Sequence, residues 1–529
     1  MGRWLKTVTA TFLALPLGVA PAVVSAAAAA PAAQAEPRAQ AGSGAGQTPV
    51  MGWSSWSFLR MGSTAADLEE EARAMVGSGL TAAGYRYINQ DDNWYKCPGP
   101  QGPDVDSYGR WVTNPAYFPP GPDGENGIAA VARSVHGLGL KFGIYETPGI
   151  SAQAVKENTR IKGTSYTADQ IAATAPASNY NCGGMDTIDY SKPGAQAYTD
   201  SVVDELASWG VDYIKLDGIA DSNGADVRAW SRAIRQSGRP MLLNITQGSY
   251  GIKLAPVLKR YANQWEFAPD IETSGPDEGA ADACNAPPFT GCRSVFPLTG
   301  YAHWSDRFDA AAQWQPYGGP GGFNDYDSIE SGNGSADSGM SLAASESQLS
   351  LWSLGSAPLI LGGDLTSAVT NAYGTKASLT RRDLALLENR QVVAVDQDSV
   401  DASRIAGSGT PGPRPGQQVF AKKEAGGDAV AGLFNTTTSA GSKPVTISVT
   451  ARALGLPADP HGYLVRDLWG GQSVVAGHAD IARVPAAGRF ARASRPRAWP
   501  CSVSRRFPDS AAGPLPALGL SHYAQVSTA

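Results

Sequence analysis

Short apolar runs alternate with helical patterns about eight times between residues 50 and 361, and this alternation constrains the fold most. Between the runs lie patterns such as the one with apolar Tyr198, Val202 and Leu206 and the stop signal Gly210. Alternating strands and helices predict an α/β fold, a (β/α)8 TIM barrel rather than an open sheet. The predicted strands are Val50–Trp53, Tyr85–Gln90, Leu140–Glu146, Asp212–Asp217, Met241–Thr246, Gln264–Ala268, a segment near Phe323, and Pro358–Leu361.

The composition and the hydrophobic pattern of the sequence change after Asp398. A linker rich in Gly and Pro leads to short apolar runs separated by turns, at Gln418–Lys422, Ala429–Phe434 and Val445–Val449. This pattern predicts a small C-terminal antiparallel β-sandwich. We therefore assign residues 49–400 to the barrel, 401–490 to the β domain and 491–529 to a low-complexity, disordered tail.

The first 35 residues have the layout of a secretory signal peptide. Arg3 and Lys6 precede an apolar run, which gives way to small residues ending at Ala35. Residues 36–48 have the composition of a linker, and no later stretch is long and apolar enough to span a bilayer. We expect a secreted protein without a membrane span.

Charge and the scarcity of metal-binding side chains exclude several classes of function. The net charge is −6 and no basic patch is present, which argues against a nucleic-acid partner. The histidines are scattered and no cysteine pair has zinc spacing, so we expect no metal, no cofactor and no serine–histidine triad. Export permits disulfides; Cys97–Cys182 and Cys284–Cys292 are plausible pairs, with Cys501 left over. The sequence does not indicate an oligomeric state.

Polar residues follow the C-terminal ends of the predicted strands, which in a barrel meet at one mouth. In the strand that ends near residue 217, Lys215 and Asp217 lie on one face because side chains alternate. The ammonium can therefore favour the ionised carboxylate, although a structural ion pair is the alternative interpretation. The strand-end set comprises Asp91, Asp92, Glu146, Asp217, Thr246 and Asp270.

Seven motifs, in order along the chain, resemble one enzyme family. They are Met51-Gly52-Trp53-Ser54-Ser55-Trp56, Tyr87-Ile88-Asn89-Gln90-Asp91-Asp92-Asn93-Trp94, Gly143-Ile144-Tyr145, Ile214-Lys215-Leu216-Asp217-Gly218, Gly321-Gly322-Phe323-Asn324-Asp325-Tyr326-Asp327, Ala357-Pro358-Leu359-Ile360-Leu361 and Val393-Ala394-Val395-Asp396-Gln397-Asp398. From about residue 49 to residue 398 the chain resembles the α-galactosidase (melibiase) family of retaining glycoside hydrolases, family 27. The resemblance implies a barrel followed by an antiparallel β domain, and a carbohydrate substrate.

The resemblance also implies roles for two carboxylates. Retaining hydrolysis needs one ionised nucleophile and one group that holds a proton near neutral pH. By resemblance, Asp217 is the nucleophile and Asp270 the acid/base, with carboxyl groups about 5 to 5.5 Å apart. The implied reaction releases terminal α-D-galactosyl residues by an exo-acting double displacement.

Other motif residues would, by resemblance, contact the sugar. Asp91 and Asp92 would accept hydrogen bonds from its 4- and 6-hydroxyls, and Trp56 would pack on its apolar face. Taken singly, the carboxylate pair could be an exposed loop end, Trp56 a core residue and Asp327 a turn cap. The predicted pocket is completed by Tyr145, Lys215, Thr246, Glu266 and Asp327.

Three positions depart from the family pattern near the sugar's 2-hydroxyl. Thr246 stands in place of a glutamate, Glu266 in place of an arginine, and Glu146 in place of a small residue. The sequence therefore leaves three alternative functions open. The protein could be a family member that acts on β-L-arabinopyranosides, one that acts on α-1,6-glucans, or a carbohydrate-binding barrel without catalytic activity. The insertion at residues 150–182 could form a wall of the outer sugar subsites of the pocket, or it could be a surface segment with no role in binding.

Overall fold

Eight parallel strands, with helices between them along the chain, form one curled sheet in the computed structural model. The structure describes residues 46–99, 101–176, 182–249, 251–268, 270–271, 307–329, 342–366, 379–408, 416–424, 426–436, 445–476, 483–484 and 489–494. Its strands up to residue 361 are β1 (Met51–Ser54), β2 (Tyr87–Gln90), β3 (Lys141–Glu146), β4 (Ile150–Ser151), β5 (Ala172–Pro176), β6 (Met185–Ile188), β7 (Tyr213–Ala220), β8 (Leu242–Ser249), β9 (Gln264–Glu266), β10 (Phe323–Asp325) and β11 (Leu359–Leu361). The described helices are α1 (Trp56–Leu59), α2 (Ala65–Ser78), α3 (Leu80–Ala83), α4 (Gly127–Gly137), α5 (Ala152–Glu157), α6 (Ala168–Ile171), α7 (Ala195–Ser208), α8 (Gly224–Ser237), α9 (Ala255–Tyr261), α10 (Arg307–Trp314), α11 (Leu342–Leu354), α12 (Arg381–Leu387) and α13 (Arg390–Asp396).

The strand order closes this sheet into a barrel. Neighbours follow the order β10–β9–β8–β7–β3–β2–β1–β11, and each pair is parallel. The two end strands meet just beyond β10, where Ile329 forms a parallel bridge with Leu361. There the Ile329 N–H donates to Ile360 O at 2.7 Å, and the Gly362 N–H donates to Ile329 O at 2.8 Å. All eight predicted strands are present, and the predicted TIM barrel is confirmed.

Alternating burial explains why strand β7 and helix α7 form where they do. Ile214 and Leu216 of β7 are fully buried and face away from Lys215 and Asp217. The helical pattern predicted from its apolar spacing is α7, whose apolar face is buried. It ends just before Gly210, whose φ of 89° is a conformation that glycine adopts without steric cost.

An antiparallel β domain follows the barrel, as predicted. Its strands are β12 (Ser403–Arg404), β13 (Gln417–Lys423), β14 (Ala429–Asn435), β15 (Val445–Thr446), β16 (Tyr463–Asp467), β17 (Ser473–Ala476), β18 (Arg483–Val484) and β19 (Arg489–Ser494). Six form a sheet in the order β12–β13–β14–β19–β16–β17, and β15 pairs with β18. Strand β19 crosses residue 490, where the sequence places the domain boundary; the rest of the tail, residues 495–529, lies outside the described residues.

One buried lysine joins the β domain to the end of the barrel. Lys422 Nζ on β13 donates to Val395 O at 2.6 Å, to Asp398 Oδ1 at 2.8 Å and to Val400 O at 2.8 Å. It also donates to Ser353 O and Ser356 Oγ, both at 3.1 Å. A buried ammonium is tolerated only when its protons find acceptors, so this junction depends on all of these contacts.

The insertion at residues 150–182 lies on the surface. It forms part of a small antiparallel sheet, β4–β6–β5, and the disulfide Cys97–Cys182 ties its end to the loop after β2. Lys156, Asn158 and Tyr166 are exposed, which favours the surface excursion over a pocket wall. The proposed signal peptide, most of the linker, and Cys284, Cys292 and Cys501 lie outside the described residues. Within the described chain, no helix combines the length and apolar character that crossing a bilayer requires.

Candidate active site

A pocket opens at the C-terminal ends of the barrel strands. Each of the eight strands, or the loop that directly follows it, contributes to its wall. Of the residues singled out from sequence, seven line this pocket: Trp56, Asp91, Lys215, Thr246, Glu266, Asp270 and Asp327. Of the six residues predicted at strand ends, Asp91, Thr246 and Asp270 line the pocket, whereas Asp92, Glu146 and Asp217 are not among its lining residues.

Lys215 and Asp91 form the central ion pair of the pocket. Lys215 Nζ donates to Asp91 Oδ2 at 2.7 Å, and the Asp91 side chain is only 3% exposed. The Asp91 N–H donates to Ser55 Oγ at 3.0 Å, which fixes the loop after β2 against the end of β1. Sequence reasoning placed Lys215 beside Asp217; the structure adds that its direct hydrogen bond goes to Asp91.

Asp217 lies at an irregularity of β7. The register with β8 shifts between Leu216 and Ile219, Gly218 has a φ of 70°, and the Gly218 N–H donates to Asp217 Oδ1 at 2.7 Å. Burial raises the pKa of Asp217 to about 7; the charge of Lys215 opposes this rise, whereas Asp270 and Asp91 add to it. The group can therefore ionise near neutral pH.

Asp92 and Tyr145 lie beside the pocket lining. Tyr95 OH donates to Asp92 Oδ1 at 2.7 Å, whereas Asp92 Oδ2 is buried without a hydrogen-bond partner in the part of the chain that the structure describes. Burial raises the pKa of Asp92 to about 7. The Tyr145 hydroxyl is likewise buried without such a partner, and burial, followed by the charges of Asp92 and Asp217, raises its pKa. Two polar groups next to Asp217 thus retain hydrogen-bonding capacity.

A hydrogen bond connects the loop after β2, which carries Asp91 and Asp92, to the segment that carries Trp56. Asn93, in a left-handed conformation with a φ of 69°, donates from Nδ2 to Met61 O at 2.5 Å. Met61 follows the segment of Trp56 and Arg60, and the Arg60 guanidinium lies 4.9 Å from the centre of the Trp56 ring. Trp56 is thus held by a buried cation behind it, consistent with a pocket wall rather than a core position.

Three carboxyl groups of the pocket lining cluster together. Oxygen atoms of Glu266, Asp270 and Asp327 lie within 4.8 Å of one another. Burial and then the charge of Asp327 raise the pKa of Asp270, whereas Lys215 and Arg60 lower it. Burial, with Asp327 and Asp270 next, raises the pKa of Glu266. Such a group of oxygens could hold a cation, but both Asp327 oxygens already accept backbone hydrogen bonds, which makes them poorer metal ligands.

Glu146 does not belong to this site, contrary to the sequence interpretation that it faces the sugar. It lines a separate small cavity together with Tyr198, Glu205 and Trp209. Its neighbour Tyr145 faces the Lys215 ammonium, 6.0 Å from the ring centre, so Glu146 points to the other side of β3. Strand alternation alone could have predicted this.

Sequence reasoning missed several residues of the site, among them Asn244, Asp325 and Arg307. Asn244 and Asp325 line the pocket, and Asn244 Nδ2 donates to Asp325 Oδ2 at 2.8 Å. Arg307 of α10 is fully buried, with Nη2 3.9 Å from Asp327 Oδ2. Asp325 precedes Asp327 by two residues, a spacing that could have revealed it; Arg307 carries no comparable local signal. The Asp217–Asp270 separation of about 5 to 5.5 Å stays a prediction.

Comparisons with known proteins match both parts of the chain. The family described as alpha galactosidase A matches residues 48–175 and 294–398, and the alpha galactosidase C-terminal beta sandwich domain matches residues 415–490. The crystal structure of a GH27 β-L-arabinopyranosidase from Geobacillus stearothermophilus has a TM-score of 0.69 and 25% identity, covering 84% of this chain and 96% of that one. The barrel and the β domain therefore occur together in a solved structure.

Two relatives named as alpha-galactosidases align with the chain. One from Oryza sativa subsp. japonica is 29% identical over 361 residues, which cover 68% of this chain and 65% of that protein, just under two thirds of its length. Alpha-galactosidase A of Cellvibrio japonicus is 30% identical over 359 residues, covering 67% of this chain and 68% of that protein. With a relative at this identity over two thirds of both chains, and family matches on both sides of residue 400, the protein belongs to the α-galactosidase (melibiase) family of glycoside hydrolases.

Proposed function

We propose that this protein is a retaining exo-glycosidase that releases terminal α-D-galactosyl residues from oligo- or polysaccharides. The observation that carries the proposal is that two carboxyl groups at the mouth of the barrel, Asp217 and Asp270, lie close enough for the charge of Asp270 to raise the pKa of Asp217. Asp217 accepts an N–H bond and stands next to the Lys215 ammonium, both of which favour its ionised form. Asp270 stands against Asp327, whose charge favours the protonated form of Asp270. Retaining hydrolysis needs one carboxyl group of such a pair ionised as the nucleophile and the other protonated as the acid.

The reaction proceeds in two displacements. In the first, an Asp217 oxygen attacks the anomeric carbon, the bond to the leaving oxygen breaks, and that oxygen takes the proton of Asp270. The product is a glycosyl ester of Asp217. In the second, Asp270 takes a proton from water, the resulting hydroxide attacks the anomeric carbon, and the ester bond to Asp217 breaks.

The groups around Asp91 suit a sugar with several hydroxyl donors. Lys215 holds Asp91 in place, and Asp92 Oδ2 is an acceptor without a partner in the described structure. Carboxylate oxygens fix hydroxyl groups through charge-assisted bonds, and the Trp56 face suits the apolar side of a pyranose. These contacts, with Tyr145 and Thr246, are our proposed sugar subsite.

A β-L-arabinopyranoside is the second candidate substrate. This sugar matches an α-D-galactoside without the hydroxymethyl group, and the Geobacillus relative is named for it. We further propose that the protein is exported: residues 1–35 have the pattern of a signal peptide, and the Cys97–Cys182 disulfide suits an oxidising compartment.

A panel of nitrophenyl glycosides tests the proposal. The panel contains the α-D-galactoside, β-L-arabinopyranoside, α-D-glucoside and N-acetyl-α-D-galactosaminide. We expect the highest kcat/KM on the galactoside, with release of the sugar in its original anomeric configuration, read by NMR immediately after cleavage. Preference for the arabinoside selects the second candidate; turnover of the glucoside alone points to an α-glucan substrate. No turnover with intact sugar binding would support a non-catalytic barrel.

A further inference from the structure

The carboxyl group of Asp327 holds the backbone next to the acid/base candidate Asp270. The Ile271 N–H donates to Asp327 Oδ2 at 2.5 Å. This N–H belongs to the peptide group that joins Asp270 to Ile271. Because a peptide group is planar, the bond also fixes the carbonyl of Asp270 and limits rotation about its Cα–C bond. A carboxylate that follows β10 therefore sets the direction of the chain at Asp270, which follows β9.

Asp327 is itself held by its neighbours. It adopts a left-handed conformation with a φ of 72°, and its N–H donates to Asp325 Oδ1 at 2.9 Å. Its carbonyl oxygen accepts the Trp352 Nε1–H at 2.7 Å. The Ser328 N–H donates to its other carboxylate oxygen, Oδ1, at 2.6 Å. A residue other than glycine keeps a left-handed conformation where surrounding contacts impose it, and such positions cluster at functional sites.

These hydrogen bonds leave the Asp327 carboxylate less available to a sugar than the carboxylate of Asp92. Both Asp327 oxygens accept N–H groups, whereas Asp92 Oδ2 has no hydrogen-bond partner among the residues that the structure describes. A carboxylate that fixes a sugar hydroxyl needs an oxygen with free acceptor capacity. The geometry therefore favours Asp92 as a sugar contact and Asp327 as a support of the chain.

The charges around Asp270 agree with such a support. Burial is the main cause that raises the pKa of Asp270, and the charge of Asp327 is the next cause. Lys215 and Arg60 oppose the rise. Asp327 therefore also favours the protonated form that a general acid needs.

We propose that Asp327 is a positioning residue for the acid/base group: it holds the peptide group after Asp270 so that the Asp270 carboxyl stays directed at the leaving oxygen of the substrate. This inference deepens the proposed function and rests on the role of Asp270 given there. Asp327 then acts through Asp270, and the affinity for the sugar does not depend on it. A displacement of a reacting group by about 1 Å is enough to cost about a hundredfold in rate.

Asp327→Asn and Asp327→Gly test this inference. Both replacements tolerate a left-handed conformation, so the turn should persist. Asn keeps one acceptor oxygen and Gly keeps none, so kcat/KM on an unactivated α-galactosyl disaccharide should fall about tenfold and about a hundredfold, respectively. On the 2,4-dinitrophenyl α-galactoside, whose leaving group needs no proton, kcat/KM should fall less than about threefold.

Sodium azide separates a misplaced acid/base group from other losses. In the variants, hydrolysis of the glycosyl ester of Asp217 should become the slow step on the dinitrophenyl substrate, because that step needs the base. Azide attacks the anomeric carbon and displaces the carboxylate without a general base. It should therefore raise kcat of both variants and yield an α-galactosyl azide, whereas the unmodified protein should not be accelerated.

The inhibition constant of galactose tests the alternative role of Asp327. A positioning residue leaves this constant unchanged, whereas a sugar contact raises it together with KM. Equal losses on the two substrates, or an inhibition constant that rises in step with the loss of kcat/KM, would overturn the inference and make Asp327 a sugar contact.

Asp212→Asn is the matched control. Like Asp327, Asp212 accepts a backbone N–H, that of Phe142 at 3.0 Å. It also accepts an N–H of Arg239 at 2.7 Å. However, it directly precedes β7, at the end of the barrel opposite the pocket. The ratio of kcat/KM on the two substrates should therefore equal that of the unmodified protein. A ratio that changes equally in Asp212→Asn and Asp327→Asn would contradict the positioning role.

A readout without turnover separates this inference from the proposed function. In Asp327→Gly the Ile271 amide loses its acceptor, so it should exchange with deuterium about tenfold faster or more, measured by mass spectrometry with fragmentation to single amides. An unchanged rate contradicts the hold on Asp270 whatever the enzyme hydrolyses. A faster rate in a folded protein that hydrolyses none of the glycosides refutes the proposed function alone.

Discussion

Lys215 Nζ lies 2.7 Å from Asp91 Oδ2, so a lysine of β7 holds the carboxylate that follows β2. The same ammonium lowers the pKa of Asp217, two residues further along its own strand. One cation therefore supports two carboxylates with different proposed roles, one at the distal end of the sugar and one at its anomeric carbon.

Replacing this lysine should move the acidic limb of activity. In Lys215→Met, Asp217 loses the charge that opposes its burial, so its pKa rises and ionisation requires a higher pH. We expect the acidic limb of kcat/KM to shift upward by about one unit or more, measured from about pH 5 to about pH 9. Lys96→Met is the control, since Lys96 pairs with Asp104 on the surface at 3.3 Å. An unmoved limb would contradict the coupling of Lys215 to Asp217.

Removing the charge of the proposed nucleophile should abolish turnover. Asp217→Asn keeps the shape of the side chain but cannot form the glycosyl ester, so it should lose hydrolysis of an aryl α-galactoside. Binding of galactose, measured by calorimetry, should persist because the Lys215–Asp91 pair is untouched. Full activity of this variant would remove Asp217 from the mechanism.

Activity and stability should respond to pH in opposite directions. Because burial raises the pKa of Asp217 to about 7, kcat/KM should fall as the pH drops below that value. Burial also raises the pKa values of Asp92 to about 7 and Asp325 to about 6. The folded protein thus holds protons that the unfolded chain releases above about pH 4, so stability declines as the pH rises toward 7. Thermal melts across this range check the sign; a Tm that rises with pH throughout would contradict it.

Lys422 should anchor the β domain. Its ammonium is fully buried and donates to acceptors that include Asp398 Oδ1. Lys422→Met leaves these groups buried without their donor, which should cost about 3 to 5 kcal/mol in the free energy of unfolding. Urea titration measures the loss. Lys423→Met, at the next and exposed position, should change stability little; equal losses in both variants would remove the special role of Lys422.

The disulfide should stabilise the insertion and the loop after β2. Cys97 and Cys182 are separated by 85 residues, and a bridge over a loop of this length is worth about 4.5 kcal/mol in the chain-entropy description. The double variant Cys97→Ser/Cys182→Ser should melt at a lower temperature, as should the unmodified protein under reducing conditions. Cys501→Ser, which removes a cysteine outside this bridge, is the control and should leave the melting temperature unchanged.

The sequence predicts the barrel well because strands and helices are recognised from the pattern of residues close together in the chain. Strand alternation on β7 places Lys215 and Asp217 on one face, and the strand ends carry most of the polar lining. What sequence cannot supply is pairing over distance: Asp91, the partner of Lys215, lies 124 residues away, and Arg307 reaches Asp327 from a helix. The error at Glu146 has a different cause, since Tyr145 and Glu146 are adjacent on a strand and cannot both face the pocket.

The bridge between Ile329 and Leu361 has a consequence for how the molecule opens. It joins the barrel's two end strands, β10 and β11, each three residues long, and lies just past Asp327 and Ser328. Partial opening favours the part of a sheet with the fewest backbone bonds, so the amides of Ile329 and Gly362 should exchange with deuterium earlier than those of β7. Because Ser328 and Ile271 hold Asp327 in place, parting of this seam should separate Glu266, Asp270 and Asp327 first, and we expect catalytic inactivation on heating to precede loss of the fold.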